Sequence, residues 1–143
     1  MSDYSVIGPC VKDLFEKISS APGFSGKAGL HLAGAAVDPS AARMPLPAVA
    51  IVFGEMMPTE PAGCMASTSR TFNLSYSVRL FMPNVSQTDL VANQLPLIEQ
   101  LVRAVQGTDA PNSGKWACEG CVCELINTDR LCYEFKFEAV SSI

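Results

Sequence analysis

From Thr71 to Met82 the chain alternates: Phe72, Leu74, Tyr76, Val78, Leu80 and Met82 are apolar, with Asn73, Ser75, Ser77 and Arg79 between them. A two-residue period sends successive side chains to opposite faces of a pleated strand, so this stretch reads as a strand with one face buried and the other wet. The same pattern returns near the C-terminus, where Leu131, Tyr133, Phe135, Phe137 and Ala139 alternate with Cys132, Glu134, Lys136 and Glu138. Ala48–Phe53 is different: a short continuous apolar run rich in β-branched residues, bounded by Pro47 and Gly54, which suits a strand covered on both faces. Trp116–Ile126 reads as a further strand, joined to Leu131–Val140 by Asn127–Arg130.

Two segments carry the helical period instead. Ile7, Cys10, Val11, Leu14, Phe15 and Ile18 recur every three or four residues, predicting an amphipathic helix over Ser5–Ser19, with Pro9 in its first turn and Ala21-Pro22-Gly23 ending it. Val91, Leu95, Ile98, Val102 and Val105 predict a second apolar stripe, widened by Leu90, Leu97 and Leu101 and closed by Gly107 at the C′ position. Pro96 conflicts with that helix, because an interior proline costs about 3 kcal/mol, so a kink or a start near Leu95 is expected.

Between these elements Gly and Pro punctuate residues 24–47, with a short strand around Leu30–Val37, and residues 54–69 read as an oversized hairpin tip. The order helix, strands, helix, strands predicts an α+β fold: one antiparallel-rich, mixed β-sheet with two main α-helices on one face and a long hairpin loop. A length of 143 residues fits one domain over 1–143, with 24–47 and 54–69 as loop-rich excursions. The tip carries Met56, Met57 and Met65, adaptable side chains favoured on contact surfaces.

Charge disfavours nucleic-acid binding. The formal net charge is −4, and the Lys and Arg residues are scattered singly among acids, whereas phosphate neutralisation needs clustered cations. No run approaches the roughly 18 apolar residues of a membrane helix, and no positive n-region precedes an apolar stretch at the N-terminus. A protein that is soluble in the cytoplasm at synthesis is the expectation. With only 17% charged residues, much uncharged surface remains, as at subunit contacts.

The six cysteines, Cys10, Cys64, Cys118, Cys121, Cys123 and Cys132, include one C-x-x-C, and the single histidine is His31. A structural zinc site needs four ligands, usually from two knuckles, and there is no second one. If Ile126 faces Leu131, then Cys121, Cys123 and Cys132 share the polar face of the final hairpin and Cys118 points to the apolar one. Inert free thiols are the simplest reading, with no metal and no cofactor. Neither phosphate-loop spacing, nor G-x-S-x-G, nor H-E-x-x-H occurs, so no catalytic constellation emerges. A small thiol- or zinc-dependent enzyme using Cys118, Cys121 and His31 stays open as a distant alternative.

The layout resembles the tail terminator (tail completion) proteins of long-tailed bacteriophages. The matching parts are the N-terminal amphipathic helix, the Leu46–Phe53 strand, the long-tipped hairpin into Thr71–Met82, the Asp89–Gly107 helix and the closing hairpin ending at Tyr133–Phe137. The resemblance implies a non-enzymatic virion protein forming a homo-oligomeric, hexameric ring on the head-proximal end of the tail tube. Such a ring stops tube polymerisation and joins the tube to neck or connector proteins. It assembles in the host cytoplasm without a membrane, and DNA passes through its lumen without specific binding. On that reading Glu55, Met56, Met57, Glu60, Met65 and Arg70 make ring or tube contacts. Another neck, connector or tail-like assembly component is the nearer alternative.

Overall fold

The computed structural model describes residues 6–24, 29–32, 47–59, 71–83, 87–125 and 130–142. In chain order its elements are α1 (Ile7–Ser19), β1 (Gly29–Leu32), β2 (Ala48–Pro58), β3 (Thr71–Pro83), α2 (Leu95–Val105), β4 (Ala117–Leu125) and β5 (Arg130–Ser142). A helical turn, Gln87–Asp89, and a π turn, Leu90–Gln94, lead into α2. The strands form one sheet in the order β1-β2-β3-β5-β4. β1 runs parallel to β2, and the other three pairings are antiparallel, in agreement with a mixed, antiparallel-rich α+β sheet.

The alternating strand lies at the centre. β3 pairs with β5 along its whole length, from Thr71 opposite Ser142 to Pro83 opposite Arg130, and with β2 on its other side. Rows of facing residues cross all three strands, for example Ile51, Val78 and Phe135, or Val49, Leu80 and Tyr133. These side chains share one apolar cluster with Cys10, Leu14 and Ile18 of α1 and Leu101 and Val105 of α2. Each large side chain fully buried there contributes roughly 1.5–3 kcal/mol.

Aromatic edges fix the middle of that core. Tyr76 meets Phe53 and Trp116 edge-on, both at a centroid distance of 5.4 Å. Trp116 sits just before β4, outside the strand predicted for it. Its N–H donates to the Thr108 carbonyl at 2.8 Å, and its indole Nε1 donates to Asp13 Oδ2 at 2.9 Å. Asp13 also pairs with Lys17 at 2.7 Å, and Lys17 Nζ reaches the Asp109 carbonyl. This chain of contacts ties the 106–116 turn to α1.

Two expectations need correction, and another lies partly outside the described residues. First, β2 does not end at Phe53: it continues to Pro58, because Glu55–Pro58 find ladder partners in Phe72–Ser75 of β3 across a register shift between Phe53 and Glu55. Second, Val91 leaves the buried stripe and is 60% exposed. Pro96 has no N–H to give Ala92 and its ring would clash with that carbonyl, and the preceding turn widens so that Leu95 N–H bonds to Leu90 O, five residues back. The wider turn changes the angular position of each side chain and rotates Val91 out. The part of the strand expected around Leu30–Val37 that lies in residues 33–37 falls outside the described residues.

Gly23 is a site of close approach. A Cβ there would lie 2.4 Å from Leu97 Cδ2 and 2.5 Å from Gln100 Oε1, the atom that accepts the Gly23 N–H at 2.7 Å. Gly23→Ala should therefore displace Gln100 and cost about 1–2 kcal/mol, read as a lower urea midpoint. An unchanged midpoint would show that the two side chains yield freely.

Candidate functional site

The register shift in β2 decides what its outer half presents. Phe53 faces Tyr76 on the core side, and beyond the bulge Met56 faces Leu74 on that same side. Glu55 and Met57 face Ser75 and Asn73, on the opposite face. Nothing in the strand covers these side chains: Met56 is 41% and Met57 53% exposed. Asn73 in turn faces Val140 of β5, itself an exposed residue, so Met57, Asn73 and Val140 make one row across the end of the sheet.

Next to this uncharged row runs a belt of paired charges. Lys136 Nζ stands 3.4 Å from Glu138 and 3.8 Å from Glu55, while Ser75 donates to Glu138 at 2.9 Å. Glu134 takes hydrogen bonds from Ser77 at 2.7 Å and from Arg79 Nε at 3.2 Å. Such half-exposed pairs are worth at most about 1 kcal/mol each, so they shape and orient the face more than they stabilise it. At the far end of the same face, Ala48, Ala50, Phe81 and Cys132 form a small buried apolar patch.

Of the residues expected to make contacts, Glu55, Met56 and Met57 therefore lie on the outer half of β2, as strand residues rather than as part of a loop. Glu60, Met65 and Arg70 lie outside the described residues. The structure adds Asn73 and Val140 to the surface. Sequence could have found them only through the register of β3 against both neighbours, since neither residue type marks a contact by itself.

The cysteines fall out differently from the expected arrangement. Leu125, not Ile126, faces Leu131, so Cys123 faces Tyr133, Cys121 faces Phe135 and Glu124 faces Cys132. A slip of one residue exchanges the faces of a strand. Gly120, at φ 153°, accompanies a second register shift that also brings Cys118 opposite Phe137. Cys118, Cys121 and Cys123 thus line the helix-side face of β4, and Cys132 points to the other face. Among the described residues, all the cysteines are free and no group of three or more His, Cys, Asp or Glu could hold a metal ion.

Burial pushes the Cys132 thiol up to about 12 from its ordinary value of 9.0, and it raises the Cys10 thiol and the Tyr76 phenol as well. The unfolded chain loses these protons first as pH rises. Stability should be fully present below pH 9 and decline as pH climbs through the range in which the folded thiols still hold their protons. Urea midpoints between pH 8 and pH 11 check this: a flat profile would contradict the burial, and Cys132→Ala should flatten the slope.

A groove of about 690 Å³ runs between α1 and α2, lined in part by Asp13, Lys17, Gln100 and Arg103. Asp13, Lys17 and Gln100 are engaged in the contacts that hold Trp116, Asp109 and Gly23. Among the described residues no helix is long and apolar enough to cross a membrane.

No protein-family model matches this chain. No curated protein matches it in sequence. Solved structures do match in fold: one is a chain from a structure described as the virion of a native gene transfer agent particle, with a TM-score of 0.64 and 10% sequence identity. The superposition covers 99% of this chain and 100% of the other. At that identity the likeness is one of fold, and it extends over essentially the whole length of both chains.

Proposed function

We propose that this chain is a non-enzymatic structural subunit of a phage-like virion, and within it the tail terminator. Copies assemble into a ring, taken to be hexameric, that sits on the last ring of the tail tube at its head-proximal end. By occupying the growing end the ring halts polymerisation and offers a surface to neck or connector proteins, while DNA passes through its lumen without sequence-specific contact. The single observation that carries the virion role is the fold shared end to end with a chain of a gene transfer agent virion. The position on the tail is supported by the layout of the sequence, and by an uncharged, exposed row on the outer end of β2, β3 and β5 suited to a protein partner.

In this reading Glu55, Met56 and Met57 meet the tube or the next subunit, together with Glu60, Met65 and Arg70, and no bond is made or broken. Deleting residues 60–69 in the phage-like genome tests it. The mutant protein should fold, judged by an unchanged circular dichroism spectrum, and fail to end tubes, giving tails of uncontrolled length in negative stain. Tails of normal length from that mutant would refute the assignment.

A further inference from the structure

β4 ends the sheet: it has β5 on one side and no ladder partner among the described strands on the other. Its outer edge therefore carries a row of backbone donors and acceptors, which natural proteins usually protect with Lys, Pro or a covering element. Ala117–Leu125 contains no Lys, Arg or Pro. At one end the chain does cover the edge, where Gln106 Oε1 accepts the Cys118 N–H at 2.6 Å, next to the register shift at Gly120. The open part is Gly120–Glu124, all of it exposed, with Val122 at 62%.

We infer that this open edge pairs with the same edge of a second copy, antiparallel about a two-fold axis through Val122, continuing the sheet across the dimer. The segment is self-complementary in that register. Val122 meets the partner's Val122 on one face, and Cys121 meets the partner's Cys123 on the other, twice by symmetry. Glu124 falls opposite the partner's Gly120, so no acid faces an acid and the carboxylate has room. Neighbouring registers that keep the faces matched are worse. Centring on Cys121 runs the pairing into the Cys118 amide that Gln106 already occupies, and centring on Cys123 sets Glu124 against Val122. A two-fold contact closes on itself, so it describes the chain away from its assembly partners and does not rest on the proposed tail position.

Light scattering on the purified, reduced chain should give twice the 15.2 kDa chain mass. Val122→Lys should weaken association at least tenfold with an unchanged circular dichroism spectrum, and Val122→Thr should restore most of it. For register, Cys121→Ser and Cys123→Ser are made in a Cys64→Ser, Cys118→Ser background and treated with dibromobimane, in which each thiolate displaces one bromide. Neither variant alone should form a bridged dimer, and an equimolar mixture should. A wild-type chain that is monomeric at high micromolar concentration, a dimer indifferent to Val122→Lys, or bridging within either single variant alone would each overturn the inference. Because these measurements omit the tube protein, their failure leaves the capping reading to its own test.

Discussion

Met56→Glu with Met57→Glu should yield a subunit that folds normally and, on the proposed terminator reading, no longer ends tubes. Both side chains already stand in solvent, Met57 on the face shared with Asn73 and Val140 and Met56 on the other, so the folded chain loses little packing. Exposed substitutions of this kind usually move stability by no more than about 0.5 kcal/mol. Seated against a partner, however, each new carboxylate would have to leave water without a cation to meet it. If contact strips even part of their hydration, a penalty of about 3 kcal/mol lowers affinity for the tube end roughly a hundredfold. Tail-length distributions in negative stain, together with urea melts of the purified variant, check both halves. A variant that unfolds, or that caps as well as the parent, would remove this strip from the mechanism.

Trp116→Ala should be the most destabilising single change outside the strands. It removes the ring that stands edge-on to Tyr76, and large-to-small changes of this size in a core cost about 3–5 kcal/mol. It also takes from Asp13 the indole donor that joins α1 to the turn before β4. Against a typical total of about 5–15 kcal/mol, that loss is about a fifth or more of the stability of an ordinary domain. Trp116→Phe separates the two contributions: it keeps an aromatic edge and loses the hydrogen bond, for an expected cost of about 1–3 kcal/mol. A double-mutant cycle with Asp13→Asn then reads the coupling directly. An alanine variant as stable as the parent would mean that the turn is not anchored as described.

What the sequence made legible follows the strength of each physical signal. β3 and β5 could be placed almost to the residue because each buries one face along an uninterrupted ladder, and that burial is written as a two-residue period. The outer half of β2 could not. A bulge between Phe53 and Glu55 reverses the parity there, and Gly54, which reads as the end of the strand, sits inside it. Val91 was lost to the π turn ahead of Pro96: helical spacing assumes a fixed angle per residue, and the proline removes it locally. The C′ glycine of α2 was readable, and Gly107 takes a φ of 76°.

The candidate site was legible only in part, for the same reason. Met56 and Met57 stood out by residue type, whereas Asn73 and Val140 join them only through the pairing of three strands. The cysteine arrangement hung on a one-residue register, Leu125 rather than Ile126 opposite Leu131, and that difference moved Cys121 and Cys123 to the other face from Cys132. Patterns report which residues are buried; register, which decides who sits beside whom, is settled by turns and bulges that composition does not encode.

The most direct test of capping is the mass and position of the chain when it is mixed with its tube protein. Light scattering and negative stain of that mixture should find the chain as a ring, at one end of each tube and nowhere along it. A chain that remains free in solution beside intact tubes, with tubes that keep lengthening in its presence, would contradict the account.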